Sequence, residues 1–218
     1  MPIATSPPPL GTSHLPPATV FLLDDEPGML KALRRLLKAE GFTVRAFTSA
    51  KTFLESFRPE ALGCLVLDVS MPELNGLELQ ERLTRSGLLV PIVFLTGHGD
   101  IPMSVQAIKA GAVDFLTKPV KDADLLRAVR AALQRAAEQR ELISEIALLR
   151  QRYASLTPRE REVMEHVVAG QLNKQIAADL GTGEHTIKVH RARVMEKMAV
   201  QSLADLVRAA QRLGVGKK

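Results

Sequence analysis

Four short apolar runs in this chain end on polar side chains: Asp24-Asp25 follow VFLL, Asp68 follows CLVL, Thr96 follows IVFL, and Lys118-Pro119 follow DFLT. Runs of aliphatic and β-branched residues are the pattern of parallel strands buried on both faces. In an open parallel sheet the carboxyl ends of the strands share one edge, and ligands bind there. The spacing therefore proposes a pocket holding three carboxylates, one hydroxyl and one ammonium. Asp24, Asp25 and Asp68 cannot all stay ionised in one cleft without a compensating charge. An all-oxygen donor set in a small site favours Mg2+. A divalent cation beside a carboxylate suits phosphoryl transfer, because it neutralises the incoming oxygens. Lys118 adds positive charge and Thr96 a hydroxyl donor, leaving Asp68 as the nucleophile that becomes an aspartyl phosphate.

The elements that must position these residues alternate. TVFLLD precedes a helix from about Pro27 to Ala39, with Met29, Leu30, Leu33, Leu36 and Leu37 at helical spacing and Gly41 as its C-cap. FTVRAF reads as the second strand, and AKTFLESF as a short helix. CLVLD, PIVFLT and VDFLT read as strands, separated by helices over GLELQERLTR and IPMSVQAIKAG, and DADLLRAVRAALQRA closes the series. The five βα units predict an α/β fold with a doubly wound, five-stranded parallel sheet covered on both faces. No GxGxxG follows the first strand and GxxxxGK[ST] is absent, which disfavours a dinucleotide or P-loop site.

The chain has 218 residues, enough for one large or two small domains, and 46% of them are apolar, enough for a packed core. Its one cysteine, Cys64, excludes an internal disulfide, reads as a small buried hydrophobe, and fits a reducing, cytoplasmic location. Residues 1–18 are rich in Pro, Ser and Thr and carry no Lys, Arg, Asp or Glu. Lacking a basic or an apolar signal region, they read as a disordered tail. No apolar run approaches the length of a membrane span. The first domain is expected over residues 19–135. From Val120 through Thr157 there is neither Pro nor Gly, so its last helix is expected to run on into a helical linker over 136–154. Leu142, Ile146, Leu149 and Tyr153 follow a 4-3-4 spacing that fits either a dimer seam or packing onto the chain's own domains.

Residues 155–218 form a second, all-α unit. In LTPRERE, Thr157 is an N-cap, Pro158 takes the first helical position and Glu160 completes a capping box. NKQIAADLG gives a second helix closed by Gly181, a third runs from about Glu184 to Met198, and a fourth starts after Ser202. Two consecutive short helices joined by a glycine-containing turn predict helix-turn-helix within a four-helix domain. Of the chain's 29 Lys and Arg and 24 Asp and Glu, residues 153–218 hold 11 and 7, a net +4, against +1 for the rest. A compact basic module points to an anionic partner, first of all double-stranded DNA. At ~100° per residue, Ile187, Val194 and Met198 share the buried face of the third helix, with Arg191 at its rim. The opposite face carries His185, Lys188, Val189, Ala192, Arg193 and Glu196. The start of such a helix lies in the major groove, which puts Lys188 near guanine acceptors and Val189 and Ala192 near thymine methyls. Asn173, Lys174, Thr186, His190, Arg191, Arg193 and Lys197 are candidates for phosphate contacts.

Residues 19–140 resemble a response-regulator receiver domain, through the acidic pair Asp24-Asp25, Asp68 in LDVSMPELNG, Thr96, and Lys118-Pro119. LTGHGDIPMSVQAIKAGAVDFLTKP is similar to the nitrogen-fixation regulator FixJ subfamily. Residues 155–214 resemble the DNA-binding domain of the LuxR/NarL/FixJ regulators, through LTPREREV, NKQIAADLG and TIKVHRARVMEKM. The resemblance implies that Asp25, Asp68 and the backbone carbonyl of Ser70 hold Mg2+, with Asp24 bonded to metal-bound water. It implies a cis bond before Pro119, and Phe115 as a switch aromatic without the hydroxyl of a tyrosine. It also implies a phosphorylation-dependent transcription regulator: a sensor histidine kinase as donor, a homodimer when phosphorylated, and a DNA operator. RNA polymerase is a further candidate partner, and a membrane is not. Gly183 replaces the family's usual Ser as N-cap of the recognition helix, a change that costs only about a few tenths of a kcal/mol.

Two alternatives compete with this reading. An aspartate nucleophile with Mg2+ and lysine also describes a phosphohydrolase, but such enzymes usually need a second Asp two residues after the nucleophile, where this chain has Ser70. The expectation is therefore self-phosphorylation and self-dephosphorylation without enzymatic turnover. A regulator that binds DNA without phosphorylation is the other alternative, and the complete pocket argues against it. His98, in GHGD beside the pocket, reads as a loop residue between glycines.

Overall fold

A computed structural model describes residues 18–58, 62–72, 74–97 and 101–216; residues 1–17 of the expected tail and His98 lie outside them. The chain divides into two compact units, Met1–Glu138 and Gln139–Lys218.

The first unit alternates strands and helices: β1 (Thr19–Leu23), α1 (Pro27–Ala39), β2 (Thr43–Phe47), α2 (Ala50–Ser56), β3 (Gly63–Asp68), α3 (Gly76–Arg85), β4 (Ile92–Thr96), α4 (Ile101–Lys109) and β5 (Asp114–Thr117). The strands pair in parallel in the order β2-β1-β3-β4-β5. Alternation along each strand feeds two cores, one per sheet face. Val20, Leu22, Cys64, Val66, Val93 and Leu95 pack against Leu30, Leu33 and Leu37 of α1 and against Leu125, Ala128 and Val129 of α5 (Asp122–Ala154). Phe21, Leu23, Leu65, Leu67, Ile92 and Phe94 pack against Phe53 of α2, Leu79 and Leu83 of α3, and Ala107 of α4. Each fully buried Val, Leu, Ile or Phe among them contributes about 1.5–3 kcal/mol. Because both faces are covered, the central strands read as continuous apolar runs, and the order reverses between β1 and β3, where a doubly wound sheet opens its crevice.

α5 is a single 33-residue helix whose last part belongs to the second unit. There Leu149 and Tyr153 pack on a core formed by Leu156, Val163 and Met164, Ile176, Ile187, Val194, Met198 and Leu206. The helices are α6 (Pro158–Val168), α7 (Asn173–Asp179), α8 (Glu184–Met198) and α9 (Leu203–Leu213). The capping box at α6 is formed: Thr157 N–H donates to Glu160 Oε2 at 2.9 Å, and Glu160 N–H to Thr157 Oγ1 at 3.3 Å. Ser202 caps α9 by accepting from Asp205 N–H at 3.1 Å. Among the described residues no helix is long and apolar enough to cross a membrane.

Candidate functional site

The carboxyl edge of the sheet gathers the polar residues named from the sequence. Asp24 and Asp25 follow β1, Asp68 ends β3, Thr96 ends β4, and Lys118 follows β5. One carboxylate oxygen from each of Asp24, Asp25 and Asp68 lies within 4.8 Å of the others. Asp24 and Asp68 are 2% and 4% exposed and Thr96 is fully buried, while Asp25 is half-buried.

Lys118 Nζ donates to Asp24 Oδ2 at 2.8 Å and to Asp68 Oδ2 at 3.0 Å. The second oxygens are also engaged: Glu26 N–H donates to Asp24 Oδ1 at 2.8 Å, and Ser70 N–H to Asp68 Oδ1 at 3.3 Å. Burial alone would lower the pKa of Lys118, but the hydrogen bonds and charges of Asp24 and Asp68 outweigh it and hold the ammonium above its ordinary value. One ammonium therefore serves two buried carboxylates, with Asp25 a third. This all-oxygen, charge-deficient cluster has the chemistry of a site for a hard divalent cation.

The backbone fixes the loop that follows Asp68. Val69 N–H donates to Leu95 O at 3.0 Å and Gly76 N–H to Val69 O at 3.0 Å. A Cβ at Gly76 would stand 2.5 Å from the Asp68 carbonyl oxygen and 3.1 Å from Val69 Cα, so only glycine lets α3 start this close to Asp68. The sequence signal for this was the pair Asn75-Gly76 ahead of an apolar helical pattern; Asn75 caps α3 through Leu77 N–H at 2.9 Å. Lys118 N–H donates to Thr96 O at 2.7 Å, and the Lys118–Pro119 bond is cis. Phe115 is half-buried, with its ring centroid 6.0 Å from that of Phe94.

In the second unit, Ile187, Val194 and Met198 are buried, while Lys188, Val189, Ala192 and Arg193 are exposed on α8. Thr186 and, on α7, Lys174 are exposed too. Arg191 Nη1 donates to Asn173 Oδ1 at 3.2 Å, joining α8 to α7. His190 is half-buried, with Nδ1 enclosed and unpaired among the described residues. Lys197 is engaged inside the domain: its Nζ lies 2.7 Å from Glu160 Oε2, and Glu160 is 2% exposed. Sequence reasoning identified Glu160 only as a cap; its pairing with Lys197 had no local signal.

A sheet edge with this cluster, followed by a helix-turn-helix module on the same chain, defines a response regulator: a receiver joined to a DNA-binding output domain. Comparison with known proteins agrees. Residues 20–130 match the response regulator receiver domain, and residues 154–210 the bacterial regulatory proteins of the luxR family. Response regulator protein TodT of Pseudomonas putida is 48% identical over 196 residues, covering 90% of this chain and 86% of the relative. Nodulation protein W of Bradyrhizobium diazoefficiens is 48% identical over 198 residues, covering 91% and 87%. Transcriptional regulatory protein FixJ of Rhizobium meliloti is 42% identical over 199 residues, covering 91% and 97%. Among solved structures, the response regulator StyR matches with a TM-score of 0.79 at 48% identity, over 90% of this chain and 99% of StyR. The chain belongs to the response regulators with a LuxR-type helix-turn-helix domain, a family that regulates transcription under the control of phosphorylation.

Proposed function

We propose that Asp68 accepts a phosphoryl group from a sensor histidine kinase in a Mg2+-dependent reaction, and that the phosphorylated chain dimerises and binds a DNA operator. The observation that carries this reading is Lys118 bridging Asp24 and Asp68 at a strand edge that also holds Asp25 and Thr96. Asp25, Asp68 and the Ser70 carbonyl would hold the cation, with Asp24 reaching it through water. When bound, Mg2+ supplies neutralisation of the phosphoryl oxygens.

Asp68 attacks phosphorus as the bond to the donor nitrogen breaks, and the electron pair leaves with the donor imidazole. Lys118 then exchanges one carboxylate partner for a phosphoryl oxygen. Thr96 turns its hydroxyl to another, and Phe115 moves into the space behind Thr96. The added charge of about −1.5 to −2 biases the α4–β5–α5 surface toward self-association, which brings two α8 helices to two half-sites. The phosphoryl chemistry is stoichiometric, with no turnover of an external substrate, and the compartment is the cytoplasm. Incubation with a phosphodonor and Mg2+ followed by intact-mass measurement tests the assignment. Wild type gains one phosphoryl group and Asp68→Asn gains none; equal labelling of the two would refute it.

A further inference from the structure

α4 is shallowly seated. Of its nine residues Ala107 is the one that is fully buried, with Met103 partly buried against the same core, while Ile101, Val105 and Ile108 are exposed. Its C-terminal end is held instead by a side chain of α3. Gln80 is 4% exposed and lies between Leu79 and Leu83, which anchor α3 in the core. From there its Nε2 donates to Ala107 O at 3.3 Å and to Ala110 O at 3.2 Å. Its Oε1 is buried without a partner among the described residues. The pinned turn leads straight into β5: Gly111 N–H donates to Ile108 O at 2.9 Å, Ala112 N–H to Ala107 O at 3.0 Å, and Val113 N–H to Ile92 O at 2.7 Å.

Gln80 is poorly suited to fill a core. A buried acceptor left unpaired is unfavourable, and an apolar side chain of the same size avoids that cost. The two carbonyls do not depend on the amide for satisfaction either, because Ala107 O also accepts from Ala112 N–H and Ala110 is exposed. What the amide supplies is placement: two N–H groups aimed at two carbonyls admit one position for the end of α4. We propose that Gln80 is a positioning residue for self-association. Its amide registers the last turn of α4 on α3 and so sets Val105 and Ile108 beside Asp114 and Phe115, in the groove of about 450 Å3 that the second copy covers. Gln80 is itself too deeply buried to meet the second copy and acts through α4. The inference rests on the α4–β5–α5 face being the dimer surface.

Full-length wild type, Gln80→Met and Ile108→Glu are labelled with phosphoramidate and Mg2+, and the dimer dissociation constant of each labelled chain is measured by sedimentation equilibrium. Methionine keeps the volume of Gln80 and removes both donors. Gln80→Met is expected to label within about twofold of the wild-type rate and to melt at or above the wild-type temperature. Its Ala110, Gly111 and Ala112 amides are expected to exchange hydrogen faster than in wild type. An α4 correctly placed about a third of the time in each copy weakens association about tenfold, because both copies must be competent, and a loss of that size or more is the expected result. A core residue without a positioning role would show the reverse, a lower melting temperature and an unchanged dissociation constant. Gln80→Leu repeats the comparison with a second apolar side chain. Dissociation constants within about twofold of wild type in both Gln80 variants, with Ile108→Glu monomeric, overturn the inference. If labelled Ile108→Glu dimerises as wild type does, the dimer surface lies elsewhere, and the reading on which the inference rests fails first.

Discussion

The ammonium of Lys118 stands 3.0 Å from the carboxylate of Asp68 and is shared with Asp24 at 2.8 Å. Lys118 is thus the counter-ion of the resting pocket before any phosphoryl group arrives. Removing one partner from a buried ionic cluster costs more than the cluster contributes, because the remaining charges stay desolvated. Lys118→Met is expected to destabilise the receiver by about 3–5 kcal/mol. Asp68→Asn relieves repulsion among three carboxylates and is expected to leave stability at or above that of wild type. Chemical denaturation without Mg2+ measures both; a Lys118→Met midpoint equal to wild type would contradict the counter-ion role.

Glu160 gives a pH-dependent prediction in the second unit. Burial is the largest influence on it and raises its pKa. The Lys197 ammonium and the Thr157 N–H outweigh burial and hold the carboxyl below the ordinary glutamate range. Since the folded pKa is the lower one, the stabilising contribution is complete above the ordinary range and is lost as pH falls through the folded value. Glu160→Gln is expected to cost about 2 kcal/mol at neutral pH and to flatten the acid side of the stability profile. Thermal melts from neutral to acid pH check this, and parallel profiles for variant and wild type would count against it.

The strand-end residues could be named from sequence because buried parallel strands are bounded abruptly and their carboxyl ends share an edge. The buried face of α8 followed from helical period, which sets Ile187, Val194 and Met198 on one side. Pairings between distant segments away from that edge left no such trace. Lys197 meets Glu160 from 37 residues away. Gln80 on α3 donates from Nε2 to Ala107 O at 3.3 Å and Ala110 O at 3.2 Å, pinning the end of α4, yet it reads in sequence as an ordinary helix residue. The 4-3-4 apolar spacing of α5 shows the limit of periodicity. Leu149 and Tyr153 pack on the C-terminal core while Leu142 is 51% exposed. A period marks a face but does not say what covers it.

Ion pairing separates the DNA-contact candidates by the salt dependence they should show. Each phosphate neutralised contributes about 0.9 to the slope of log affinity against log salt. Lys174 and Arg193 are exposed, so Lys174→Gln and Arg193→Gln are each expected to reduce the slope by about that amount. Lys197 is bound to Glu160, so Lys197→Gln is expected to lower domain stability and leave the slope unchanged. Lys188→Ala is expected to relax base preference at one position, worth about 1–3 kcal/mol. Titrations of operator and scrambled duplexes over a salt series resolve all four variants, and a slope loss at Lys197 equal to that at Arg193 would reassign it as a phosphate contact.

The α4 face should report whether phosphorylation and association are separable. Ile101, Val105 and Ile108 are 80%, 44% and 47% exposed. Val105 and Ile108 line a groove of about 450 Å3 with Asp114 and Phe115. Phe115 lies on the strand that pairs with β4, one residue before the Leu95–Leu116 and Thr96–Thr117 pairs, so a ring that turns inward behind Thr96 leaves the groove and reshapes it. A charge on this face would be desolvated in a dimer and solvated in a monomer. Ile108→Glu is therefore expected to be labelled on Asp68 while remaining monomeric by light scattering, and to lose the phosphorylation-dependent gain in operator affinity. Thr96→Ala should also be labelled without gaining affinity, because the proposed switch needs its hydroxyl to couple the phosphoryl group to Phe115. If Ile108→Glu dimerises as wild type does, association runs through another surface, and the exposed Leu142 and Ile143 of α5, at 51% and 57%, become the next positions to charge.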